Sequence, residues 1–414
     1  MNNKDLTMTK KLIKNIGVLA TPTGGKAKAG NDQGKIDQLE QAWLLWEDDK
    51  IIALGQGTPP QADEVIDAHG HLVTPGLVDP HTHLVFGGWR EHELAMKLNG
   101  VPYLEILAAG GGILSTVRST RAASKEQLID KTLPILERML TLGVTTCEAK
   151  SGYGLALEHE IKMLEAVKEL GSLQPVELVS TFMAAHALPL EYKNDCDAYL
   201  DLVTKTMIPQ VAAEGLAEYC DVFCEVGVFN AEESRRVLLA GQQAGLASKC
   251  HCDEIDSIGG TEMASSIGAV SCEHLIACTA SGIKALAEGG VIACCLPATS
   301  FYLGASYAPA NGMISAGVPV AFGSDFNPGS CPVNSLQIAM NIGCYRYRMT
   351  PEECLTAVTL NAAAAIGRAE LVGTLEPGKQ ADFLIWNAPN LDYIFYRFGD
   401  NLVESVFKKG IQVR

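Results

Sequence analysis

Eight short apolar stretches recur along this chain, each followed by a helical pattern. They are "GLVDPHTH" at 76–83, "GVTTCEAKSGYG" at 143–154, "VELVSTFMAAHALP" at 176–189 and "YCDVFCEVGVF" at 219–229. "LASKCHCDE" at 246–254, "AVSCEHL" at 269–275, "GVIACCLPATS" at 290–300 and "VPVAFGSDFNPG" at 318–329 follow. Between them lie amphipathic patterns such as "SKEQLIDKTLPILERMLTL" and "NAEESRRVLLAGQQAG". Strand and helix alternating eight times predict an α/β fold, a TIM-like (β/α)8 barrel. A doubly wound sheet alternates in the same way, but it does not gather eight strand ends around one point.

The ends of the chain read differently. Residues 1–70 contain "QAWLLWEDDKIIALG" and "EVIDAHGHLVTPG", and residues 368–414 contain "GTLEPGKQADFLIWN" and "LVESVFKKGIQV". Both are strand-rich and punctuated by turns. We expect a small β-sandwich domain built from both termini, with the barrel over 71–367. The stretch "AAGGGILSTVRSTR" at 108–121 reads as a Gly-rich loop, a candidate lid, and lacks the G-K-[ST] ending of a phosphate loop.

Polar residues fall at the C-terminal end of strand after strand: His81, His83, Lys150, His186, Glu225, His251, His274 and Asp325. Five of the nine histidines are in this set, which is not random scatter. In such barrels the active site occupies that face. His81 and His83 stand two apart, so on a strand they point to one side and can aim two imidazoles at one point. An H-x-H pair can equally be two solvated loop histidines, so further ligands are needed. His251 in "HCDE" and Asp325 in "GSDFNPG" supply them. A buried histidine bonded to backbone and a helix N-cap are the structural alternatives for these two. Together the four fit a mononuclear zinc or iron site with an open position for water. A metal there lowers the pKa of bound water to about 7.

Composition removes several function classes. The 414 residues are 47% hydrophobic and 19% charged, which describes a folded globule. The net charge of −16 argues against nucleic acid and against an anionic membrane surface. Thirteen cysteines, an odd number without framework spacing, point to the reducing cytoplasm. The first twenty residues lack the apolar core of a signal peptide, and no run reads as a transmembrane helix. A cytoplasmic homodimer is expected.

The H-x-H after the first strand, the H-x-x-E after the fifth, the sixth-strand histidine and the eighth-strand aspartate resemble the amidohydrolase superfamily over nearly the whole chain. "HTHLVFGGWREHE", "EAKSGYGL", "FMAAHALP", "HCDE" and "GSDFNPGS" narrow the resemblance to its imidazolonepropionase family. That resemblance implies metal ligands at His81, His83, His251 and Asp325. It implies substrate contacts at Arg90, Tyr153, His186, Glu254, Asn327, Gly329 and Ser330, where relatives often carry threonine at the last position. It implies one zinc or iron ion per subunit and hydrolytic opening of the 4-imidazolone-5-propanoate ring in histidine degradation.

Physical reasons stand beside these assignments. The substrate that the resemblance implies is a small anionic heterocycle, and a chain of this charge needs a local cation to hold its tail. Arg90 offers a planar fork, unless it merely pairs with Glu91 or Glu93. Tyr153 can donate to the same tail or simply pack. Glu254 is placed to shuttle a proton to the ring nitrogen, or to favour a helix N-terminus. His274 or Asp325 can take the proton from water, and His186 can bond the ring. Lys150 invites comparison with a carbamylated ligand, but its position on the second strand favours a structural or electrostatic role. Glu225 has no role that the sequence supplies. Two other readings remain open. A deaminase of neutral heterocycles would share the metal set but has no need of the Arg90–Tyr153 clamp. A non-catalytic binding protein would be expected to have lost ligands.

Overall fold

A computed structural model describes residues 9–101, 105 and 110–414. The chain begins with β1 (Lys10–Thr21), β2 (Asp37–Glu47), β3 (Lys50–Gln56), β4 (Glu64–Asp67) and β5 (Leu72–Pro75). The barrel strands follow: β6 (Leu77–Asp79), β7 (Val144–Lys150), β8 (Glu177–Ala185), β9 (Tyr219–Cys224), β10 (Ala247–Cys252), β11 (Ser271–His274), β12 (Ile292–Cys295) and β13 (Val320–Phe322). The chain ends with β14 (Phe383–Trp386), β15 (Val403–Lys408) and β16 (Ile411–Gln412).

Strands β6 to β13 pair in parallel and in sequence order, one strand for each of the eight apolar stretches. The two ends of this sheet meet just beyond β6 and β13. The Asp325 N–H donates to the His81 carbonyl at 3.0 Å and the His83 N–H to that of Phe326 at 2.9 Å. Closure therefore depends on the backbone of the residues that carry the first H-x-H pair and the last aspartate. The strands are short and buried on both faces, as parallel strands flanked by helices must be.

The helices start where their sequences cap them. Ser124 and Gln127 form a capping box at the head of Lys125–Thr141, and Asn230 and Glu233 form one at Ala231–Gln243. The 108–121 stretch departs from its expected form. Residues 108 and 109 lie outside the described residues, but Ile113–Ala122 is a helix, entered from Gly112 at φ +68°. Only the glycines make a loop. The residues after them keep a buried face of Thr116, Val117 and Thr120.

The terminal strands form one mixed sheet in the order β16-β15-β14-β5-β1-β2-β3, with β4 also paired to β1. It folds over its own core as a sandwich. Trp46 of β2 packs edge-on against Phe383 of β14 and Phe407 of β15, and its indole N–H donates to the Gly410 carbonyl at 3.0 Å. The expected boundary at residue 70 falls short of β5, which runs to Pro75 and pairs with β1 and β14. "LVTP" and "GLVD" read as one apolar run, and Gly76 divides it between the two sheets. No helix among the described residues is long and apolar enough to cross a membrane.

Candidate active site

The C-terminal ends of β6, β10 and β13 bring four of the singled-out side chains to one point. His81 Nε2 lies 3.3 Å from Asp325 Oδ1, and His83 Nε2 lies 3.7 Å from the same oxygen. His251 Nε2 is 3.3 Å from His83 Nε2. All four residues are buried. Ligands about 2.0–2.1 Å from a tetrahedral zinc stand roughly 3.3 Å apart, so this spacing suits a single ion. His81 Nε2 is buried without a hydrogen-bond partner, an expensive arrangement unless a cation takes its lone pair. Burial holds the pKa of His81 and His83 well below the ordinary imidazole value, so both are neutral, as ligation requires. The residues present therefore fit a metal ion.

A buried ionic network orients these ligands from below. Glu273 bonds His81 Nδ1, and Asp221 Oδ2 lies 2.9 Å from His251 Nδ1. Both contacts turn the opposite ring nitrogen towards the centre, the usual support for a ligating histidine. Thr299 donates to Asp325 Oδ2 at 2.6 Å, which leaves Oδ1 facing the histidines. Lys150 Nζ lies 2.7 Å from Asp221, 2.9 Å from Glu148 and 3.2 Å from Glu273. Burial opposes its charge, but Asp221 and Glu148 outweigh burial and raise its pKa. Three carboxylates surround this ammonium, an electrostatic role. Lys249 bridges Glu148 and Glu273 at 2.9 and 3.0 Å.

The substrate-side candidates ring the same mouth. His186 stacks on His83 with ring centres 4.8 Å apart. Its Nδ1 faces the Gly152 carbonyl at 3.1 Å, and burial lowers its pKa to about 4. The ring is thus neutral, donates through Nδ1 and keeps Nε2 as an acceptor. Tyr153 is buried beside both histidines, 5.9 Å from His83 and 5.3 Å from His186. Its loop is tied by Glu160, which accepts from the N–H groups of Gly152, Gly154 and Leu155.

Arg90 packs on Gly329. A Cβ at residue 329 would stand 1.7 Å from an Arg90 nitrogen, so any side chain there pushes the guanidinium aside. Asn327 turns its side chain inward. Its Oδ1 accepts from the N–H groups of Gly329, Ser330 and Cys331, and its Nδ2 donates to the Asp325 carbonyl at 2.7 Å and to Ser330 Oγ at 2.9 Å. The Asn327 side chain shapes the 327–331 turn, and Ser330 Oγ is bonded to it.

Glu254 and His274 face each other across the mouth, with Oε2 and Nε2 3.7 Å apart. Burial, and then the nearby charge of Glu225, push the Glu254 carboxyl up to about 7. Burial lowers His274, leaving a neutral imidazole. His274 and Asp325 both hold left-handed backbone, at φ +72° and +53°. Such strain collects at functional sites. Glu225 accepts from the N–H groups of Glu254, Ile255 and Asp256 at 3.1, 2.9 and 3.1 Å, so it holds the loop that carries Glu254. The only sequence signal for Glu160, Asp221 and Glu273 was an acidic residue inside or beside an apolar run.

Comparisons with known proteins identify the relatives of this chain. The amidohydrolase family model matches residues 237–413. An imidazolonepropionase of Alkaliphilus metalliredigens is 51% identical over 407 residues, covering 96% of this chain and 96% of that protein. One from Fusobacterium nucleatum is 52% identical over 410 residues, covering 96% and 97%. One from Geobacillus kaustophilus is 54% identical over 347 residues, covering 84% and 82%. Among solved structures, a zinc-bound adenosine deaminase from Xanthomonas campestris superposes with TM-score 0.70 at 18% identity, covering 97% of this chain and 92% of that one. An ochratoxinase of A. niger gives 0.71 at 18%, covering 98% and 96%. The structural likenesses show the shared fold, and the full-length identities go further: the chain belongs to the imidazolonepropionase family.

Proposed function

We propose that this hydrolase opens the ring of 4-imidazolone-5-propanoate to N-formimino-L-glutamate, using one zinc or iron ion held by His81, His83, His251 and Asp325. The observation that carries the reading is a metal-ligand cluster with a protonatable carboxyl, Glu254, on one side and an arginine fork, Arg90, on another. When bound, the cation supplies Lewis acidity and lowers the pKa of water to about 7.

The chain's own groups do the rest. Arg90 and Tyr153 bind the propanoate carboxylate, and the Gly329–Ser330 backbone lines that end. His186, neutral and acceptor-bearing at Nε2, takes the ring N–H and orients the ring. Water attacks the ring carbonyl carbon while Asp325 or His274 accepts its proton. His274 then faces the developing oxyanion and stabilises it. Glu254, protonated at the outset, delivers its proton to the departing ring nitrogen. The C–N bond breaks and the formimino product leaves.

Glu254→Gln tests the proton assignment. It keeps the shape and removes the acid, so metal content and affinity for a non-hydrolysable analogue should hold while kcat falls by ~10²–10⁴-fold. Near-normal kcat with weak analogue binding would make Glu254 a binding residue instead.

A further inference from the structure

Glu93 lies outside every role assigned above, yet it is a wholly buried carboxylate beside the anion end of the site. Its Oε2 is 3.5 Å from Arg90 Nε and 3.2 Å from Lys97 Nζ. Its Oε1 accepts from the Gly112 N–H at 2.6 Å, at the head of the helix Ile113–Ala122. Lys97 Nζ in turn donates to the Gly329 carbonyl at 3.0 Å, and Gly329 is the residue on which the Arg90 guanidinium rests. One carboxylate thus touches the candidate clamp, a second cation bonded to the turn beneath it, and the entrance of the next helix.

A buried charge of this kind is costly unless it is paired. Of the groups assigned to the reaction, it touches Arg90. Arg90 Nε and Glu93 Oε2 are both buried without a hydrogen bond of good geometry, so their attraction is that of charges held close. Arginine binds a carboxylate through a planar fork of two parallel N–H donors, and that fork works only when its plane is fixed. Contact on the Nε edge leaves the opposite edge to a ligand.

Resting on the reading of Arg90 as the carboxylate clamp, we infer that Glu93 is its positioning residue, fixing the guanidinium plane against Gly329. Glu93 also offsets one of the two cations, so the subsite carries the net charge that matches a single carboxylate. The two effects have opposite signs in a Glu93→Gln variant. Loss of the fixed plane weakens anion binding, whereas loss of the negative charge strengthens it. Positioning is the larger, because a bidentate fork depends on geometry.

The test is calorimetric binding of two probes to the metal-loaded full chain: imidazole-propanoate, which has the anionic tail, and propylimidazole, which does not. In Glu93→Gln the anionic probe should bind about 10-fold more weakly and the neutral probe as before. In turnover, KM should rise by more than kcat falls. Glu93→Asp, which keeps the charge but withdraws it by one methylene, should show a smaller loss of the same kind and serves if the glutamine variant does not fold. Anionic-probe affinity that rises or stays level in the variants overturns the positioning role. Arg90→Lys separates the two readings. If it discriminates between the probes and the Glu93 variants do not, only Glu93 is wrong, whereas no discrimination in Arg90→Lys removes the clamp itself.

Discussion

Glu225 accepts a hydrogen bond from the backbone N–H of Glu254 at 3.1 Å while its charge helps to raise the pKa of the Glu254 side chain. One carboxylate thus both places the second and keeps it protonated near neutral pH, with burial as the larger cause of the shift. A proton donor at pH 7 requires this arrangement.

The pH profile follows from that pair. Glu254 has to carry its proton before the ring nitrogen leaves, and its pKa is about 7. The protonated fraction is full well below that value and falls as pH rises through it. The rate constant kcat/KM should therefore decline on the alkaline side of about 7. Glu225→Gln removes the neighbouring negative charge, so the decline should begin at lower pH. A pH–rate series on both proteins checks the direction, and an unmoved profile would separate Glu225 from the proton.

Glu225→Gln should also cost stability. A glutamine offers one acceptor oxygen where the carboxylate offers two, and the N–H groups of Glu254, Ile255 and Asp256 compete for it. A buried donor left unpaired costs about 1–3 kcal/mol. The denaturation midpoint reads that loss, and the 254–256 amides should exchange faster.

Lys150→Met probes the network beneath the histidines. It leaves Glu148 and Glu273 to Lys249 and takes from Asp221 the ammonium 2.7 Å away. Breaking a buried pair from one side costs about 3–5 kcal/mol. Because Asp221 and Glu273 also turn His251 and His81, the variant should bind metal more weakly as well as melt earlier. A melt that is unchanged would mean that the network relaxes around the loss.

Arg90→Lys retains the charge and loses the fork. Binding of the anionic substrate should weaken by about 1.5–3 kcal/mol, the range for a charged hydrogen bond. Gly329→Ala should act through the same residue, since its Cβ needs the space that the guanidinium fills. Equal KM values for both variants and the parent would place the carboxylate elsewhere.

How far the sequence could be read depends on the reach of each interaction. Strand period and strand-end polarity are local, so β6 to β13 and the gathering of His81, His83, His251 and Asp325 were visible before any coordinates. Capping boxes at Ser124 and Asn230 are local in the same way. The supporting carboxylates are not local. Glu273 meets His81 across 192 residues, and Glu93 meets Gly112 only after a helix starts where glycines suggest a loop. Asn327 shows a different gap. Its three accepted N–H groups come from a short loop whose path the residue type does not reveal.

The central claim is a metal-dependent ring opening, and one assay reads it directly. Freshly prepared imidazolone-propanoate is added to the metal-loaded protein and the ring's ultraviolet absorbance is followed, with His81→Ala and Asp325→Ala alongside and their metal content measured. The account predicts rapid loss of absorbance and formation of formimino-glutamate by the parent, with metal and activity lost together in both variants. Persistence of the ring absorbance with the fully metallated parent, or full metal occupancy in either variant, would contradict it.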